Sequence, residues 1–131
     1  MKYILMMHAP GGPYEIMTKW PKRALEAHGA FMSRLNQKLT DAGELAGGAG
    51  LVGPDKAKRV RADANGLPIT DGVFPESKEF LAGYWIVDVP TPERAYAIAA
   101  EASTAPGPDG EPLRMPIEVR EVMFAIEGKE G

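Results

Sequence analysis

A chain of 131 residues, 44% hydrophobic and 25% charged, has the size and polarity of one globular domain with a single core. Its formal net charge of −3 argues against a nucleic-acid binder, whose footprint is a basic face. The absence of cysteine excludes disulfides, thiolate nucleophiles and cysteine metal sites, and fits a reducing compartment. No apolar run reaches the length of a membrane span, so the expected location is the cytoplasm, with neither membrane nor nucleic acid as partner.

Lys2 to Ala9 is a near-continuous apolar run ended by Pro10-Gly11-Gly12-Pro13, the pattern of a strand buried on both faces. The loop that follows carries Tyr14, Ile16, Met17 and Trp20, large side chains expected to pack back on the body or across an interface. Pro21 then opens a helix, where its fixed φ and missing N–H cost little. Leu25, His28, Met32, Leu35 and Leu39 fall within an arc of roughly 80° at 100° per residue, so the inward stripe contains a histidine. Gly43 is the natural stop.

Residues 44–54 hold Gly47, Gly48, Gly50 and Gly53 and read as a short, bulged strand. No G-x-x-x-x-G-K-[ST] pattern accompanies these glycines, which argues against a phosphate loop. Residues 56–63 alternate weakly, as a strand with one wet face would. Asn65-Gly66 is a hairpin turn signal returning the chain through Leu67-Pro68-Ile69-Thr70 to a second turn at Asp71-Gly72. Residues 80–89 form the second buried strand, closed by Pro90. Thr91 and Pro92 cap and open a helix with Ala95, Ile98, Ala99 and Ala102 inward and Tyr96 at the border. The proline-rich residues 103–116 read as a long ordered arm. Residues 117–126 read as a last strand bulged at Glu121, followed by a frayed end at 127–131.

The order is α+β: a ferredoxin-like βαββαβ pattern with an inserted hairpin, one domain over 1–131. Two helices cover one face of such a sheet. The other face is left to associate with a second copy, a homodimer through the sheet.

The stretch T-D-G-V-F-P-E-S-K-E-F-L-A-G-Y, residues 70–84, resembles the D-G-P-F-A-E-T-K-E-x-L-x-G-Y signature of the DGPF branch of the YCII-related proteins, with Val73 in place of the signature proline. The resemblance implies a dimeric α+β barrel. It also implies a histidine on the first helix and an aspartate near the acidic turn, proposed in the family as a His-Asp pair facing a cleft. His28 and Asp71 match those positions. On residue pattern alone, His28 is equally a core histidine satisfied by one backbone carbonyl, and Asp71 a turn carboxylate bonding nearby N–H groups.

Arg61, in R-V-R, resembles the family's T-V-R stretch and is able to hold a carboxylate through a bidentate contact. With Phe74, Lys78 and Tyr84 it completes the expected ligand-holding set. Glu76, Ser77 and Glu79 equally cap and solvate a connection. His8 ends the first strand within reach of the same cleft, but two imidazoles without H-x-x-H spacing do not make a metal site. Neither metal nor cofactor is expected.

Two functional classes follow. In one, His28 oriented by Asp71 moves a proton on a small, anionic substrate without cofactor, in chemistry similar to the dehydrochlorination linked to some relatives. In the other, the chain is a non-catalytic dimeric ligand-binding or accessory protein.

Overall fold

The computed structural model describes residues 1–9, 19–72, 79–126 and 128. The expectations for Tyr14, Ile16, Met17, Phe74, Glu76, Ser77, Lys78 and nearly all of the frayed end therefore concern positions outside the described residues. Strand β1 (Lys2–Ala9) is followed by helix α1 (Lys22–Asp41), β2 (Leu45–Gly50), a 3-10 turn (Pro54–Lys56), β3 (Lys58–Ala62), β4 (Pro68–Gly72), β5 (Phe80–Asp88), helix α2 (Pro92–Ser103) and β6 (Ile117–Glu121). Four strands form one sheet in the order β2-β5-β1-β6, every neighbouring pair antiparallel; β3 and β4 form a separate two-stranded ribbon.

Both helices lie on one face of the sheet, because the core draws on the same side of each strand. Tyr3, Leu5, Val87 and Val89 from the sheet meet Leu35 and Leu39 of α1 and Ala95, Ile98, Ala99 and Ala102 of α2. The four small or branched α2 residues are those the helical period selected, and their size brings the helix close to the strands. Thr91 caps that helix, its hydroxyl accepting from the Arg94 N–H at 3.2 Å.

Helix α1 ends in a Schellman motif. Gly43, at φ +70°, donates to the Thr40 carbonyl at 3.0 Å, and Glu44 N–H reaches the Leu39 carbonyl at 2.9 Å. This turn delivers Glu44 to Arg94 of α2, whose Nε and Nη2 donate to its two carboxylate oxygens at 2.7 and 2.8 Å. The guanidinium holds the Glu44 carboxyl below the usual carboxylate range, chiefly through these hydrogen bonds. Lys38–Glu101, at 3.0 Å, adds an exposed second tie between the helices.

Four local expectations are corrected. Strand β1 alternates buried and half-buried residues, so only its helix side is fully covered. All five β3 residues are exposed, giving that strand two wet faces. Asp71 and Gly72 end strand β4, opposite Arg59 and Lys58, and do not form a turn. Strand β6 stops at Glu121, and Met123, Phe124 and Ile126 beyond it are 92%, 72% and 89% exposed. The bulge foreseen in the glycine-rich strand is present as a register shift between Leu45 and Gly47.

Residues 103–116 are an ordered arm. The Arg114 N–H donates to the Ser103 carbonyl at 2.8 Å, Leu113 N–H to Ala105 at 2.9 Å and Gly107 N–H to Glu111 at 2.8 Å. The Ser103 hydroxyl bonds the Met115 carbonyl at 2.7 Å. These contacts fold the proline-rich chain back on itself and hold Pro106 against α1.

A histidine-bearing cleft between the first helix and the sheet

The inward surface of α1 is two stripes. Ala24, Leu35 and Leu39 are buried, with Phe31 packed beside them, and they face the core. His28, Met32 and Asn36, spaced four residues apart and rotated by roughly 60°, border a cleft of about 630 Å³. The sheet opposite this second stripe is paved with glycine. Gly50 lies across from Gly83, which lies across from Met7, and Gly48 lies across from Trp85. An added Cβ at Gly48 would sit 2.7 Å from the Tyr84 carbonyl oxygen, and one at Gly83 2.9 Å from that of Ala49. Those two glycines are what permits β2 and β5 to pair closely. Gly50 has no heavy atom within 4 Å of the position a Cβ would take. Missing side chains on the sheet therefore create the cavity.

His28 is half-buried. Its Nδ1 lies 3.1 Å from the Pro106 carbonyl oxygen, and the Trp20 ring meets the imidazole edge-on at a centroid distance of 5.5 Å. Trp20 thus packs against the body, as its size suggested. A carbonyl only accepts, so in the neutral ring Nδ1 carries the proton and Nε2 keeps its lone pair. At the other end of the stripe the Trp85 indole donates to Asn36 Oδ1 at 2.8 Å. The lining is otherwise mostly apolar, including Met7, Met32, Leu45, Leu51 and Ala82, and among the described residues it contains no charged side chain.

Asp71 lies on the ribbon, exposed, directly across from Arg59 in the ladder. Among the described residues no hydrogen bond or ion pair joins it to His28, whose ring is engaged by the arm instead. Arg61, also exposed, lies opposite Ile69 on the ribbon and does not line the cleft. Tyr84 borders the cleft, while strand alternation directs its ring to the helix-free face with Ile4, Met6 and Ile86. His8 belongs to that bare face as well, separated from His28 by the sheet. Phe74 and Lys78 are outside the described residues. Among the described residues no group of three or more His, Asp or Glu gathers as metal ligands would, and no helix is long and apolar enough to cross a membrane.

Asn36, Trp85 and the glycine floor were not singled out as site residues from the sequence. A signal existed: Asn36 is one further helical step along the line from His28 to Met32, and Gly83 interrupts an otherwise apolar strand.

An antiparallel sheet with two helices on one side defines a small α+β protein with a histidine-edged cleft beside its first helix. The chain belongs to the YCII-related domain family, whose model matches residues 1–107. It is also similar to an uncharacterized protein of Rhizobium meliloti (strain 1021), 30% identical over 90 residues, which cover 69% of this chain and 73% of that protein.

Proposed function

We propose that this protein binds a small molecule in the cleft under α1 and that His28 exchanges a proton with it through Nε2. The observation carrying this reading is the Nδ1 contact with the Pro106 carbonyl at 3.1 Å, beside a cavity of ligand size. An imidazole with one nitrogen fixed as a donor presents the other as a base, the state general base catalysis requires. The carbonyl thereby fills the orienting role that the family signature assigns to an aspartate. It lacks a carboxylate's charge, so it stabilises an imidazolium less. Proton abstraction of the lyase kind needs one such base and no cofactor.

A purely ligand-binding role is the second reading, favoured by one observation: among the described residues no carboxylate or amine in the lining stands ready to return the proton. The two separate experimentally. A metabolite screen by thermal shift identifies a ligand, because binding to the native state alone raises its stability. His28→Gln keeps an amide able to donate to Pro106 but removes the base. Turnover by the wild type, with binding but no turnover by His28→Gln, supports the enzyme. A ligand bound and recovered unchanged supports the accessory role. A screen in which no compound shifts melting counts against both.

The strand order β2-β5-β1-β6, antiparallel throughout, supports a ferredoxin-like fold with the β3–β4 ribbon as its insertion. Half-buried Ile4, Met6, Tyr84 and Ile86 on the bare face support a homodimer closing into an α+β barrel. The 70–84 stretch supports placement in the DGPF branch. If the bare face is the interface, light scattering should give a dimer for the wild type and a monomer for Ile86→Lys; a wild-type monomer removes that part of the proposal.

A further inference from the structure

Two polar side chains of the cleft, Asn36 and His28, each have one hydrogen-bonding group already engaged. Trp85 Nε1–H is only a donor, so the Asn36 atom 2.8 Å from it is the amide oxygen, and the group this bond leaves wholly unengaged is the NH2 donor. Pro106 O is only an acceptor, so neutral His28 retains only the Nε2 acceptor. One end of the cavity therefore offers a donor and the other an acceptor. Apolar side chains and bare glycine backbone lie between, with no charge among the described lining residues.

His28 and Asn36 stand eight residues apart on α1, a rise of roughly 12 Å. Subtracting a hydrogen bond of about 3 Å at each end leaves a ligand span of roughly 6 Å between polar atoms. We infer that the cleft selects an uncharged molecule with an apolar body, a hydrogen-bond acceptor at the Asn36 end and a hydroxyl or N–H at the His28 end. This rests on the cleft being the ligand site and adds the polarity and neutrality of its occupant. The hydroxyl or N–H so placed is the proton that Nε2 would receive.

The test uses three uncharged probes on the full chain, followed by heteronuclear NMR: para-hydroxyacetophenone, acetophenone without the hydroxyl, and para-cresol without the ketone. The matched probe should shift the amides of Gly48, Gly50 and Gly83 and bind about three- to tenfold more tightly than either truncated probe. Asn36→Asp keeps an oxygen for the Trp85 indole but removes the donor, and should erase the advantage of the ketone alone. His28→Phe should erase the advantage of the hydroxyl alone. Gly50→Leu, which points a side chain into open space, should abolish binding of all three.

Equal affinities for the three probes, with Gly50→Leu still abolishing them, would overturn the polarity inference and leave the binding site intact. Tighter binding of anionic para-hydroxybenzoate would overturn neutrality in the same way. Shifts located elsewhere, and indifferent to Gly50→Leu, would overturn both this inference and the site reading.

Discussion

The two inward stripes of helix α1 lie over the same sheet and meet opposite fates. Leu35 and Leu39, near its C-terminal end, close on Val87 and Ile98 with 3% exposure or less. His28 and Met32, on the adjacent stripe, remain half-buried above Gly48, Gly50 and Gly83. The helix does not change character between them; the strands beneath it do. Where β1 and β5 present Leu5 and Val87, the layers interlock as core. Where β2 and β5 present glycine, the same spacing leaves a cavity. A helix face becomes a binding surface when its opposite layer withholds side chains.

The largest expected effect sharpens this contrast. Leu39→Ala removes a fully buried side chain and should cost about 2–5 kcal/mol in urea unfolding. Met32→Ala, over the cavity, should cost about 1 kcal/mol or less, since part of its surface is already open. Equal losses at both positions would mean that the cleft collapses into core in solution.

Next come the glycines themselves. Gly48→Ala drives a methyl to within 2.7 Å of the Tyr84 carbonyl oxygen and should destabilise by about 1–3 kcal/mol, with faster amide exchange along β2. Gly50→Ala meets nothing and should stay within about 0.5 kcal/mol of the wild type. A reversal of that order would contradict the floor described above.

A smaller effect tests the tie behind the core stripe. The Glu44 carboxyl is held below its ordinary range by Arg94, so the unfolded chain binds its proton first as pH falls. Its stabilisation is complete above the ordinary carboxylate range and is lost as pH drops through the lowered folded value. Glu44→Gln should therefore cost about 0.5–1 kcal/mol at neutral pH, solvent screening included, with the deficit shrinking toward zero in acid. A deficit independent of pH would assign the residue a packing role only.

What could be read in advance was local. Thr91-Pro92 announced α2, Ala95, Ile98, Ala99 and Ala102 announced its buried face, and the glycines of β2 announced a bulge. Each signal lies within a few residues of its consequence. The site was legible in part: periodicity put His28 on the inward stripe, but its partner Pro106 is 78 residues away on an arm whose course no period encodes. Asp71 went astray for a related reason. The three-residue turn Ala64 to Gly66 sets it across from Arg59 on a wet ribbon, whereas Asp-Gly read alone suggests a turn. Division of the helix stripe into core and cleft was invisible from the helix, since it depends on what the strands present.

The central claim is that Pro106 fixes the His28 ring so that Nε2 is the nitrogen available to a ligand. Long-range nitrogen–proton correlation NMR of the imidazole reads this directly. At a pH where the ring is neutral, the expected proton position is Nδ1, with Nε2 the nitrogen that shifts when a cleft ligand is added. A ring protonated at Nε2, or one whose nitrogens ignore every cleft ligand, would contradict it.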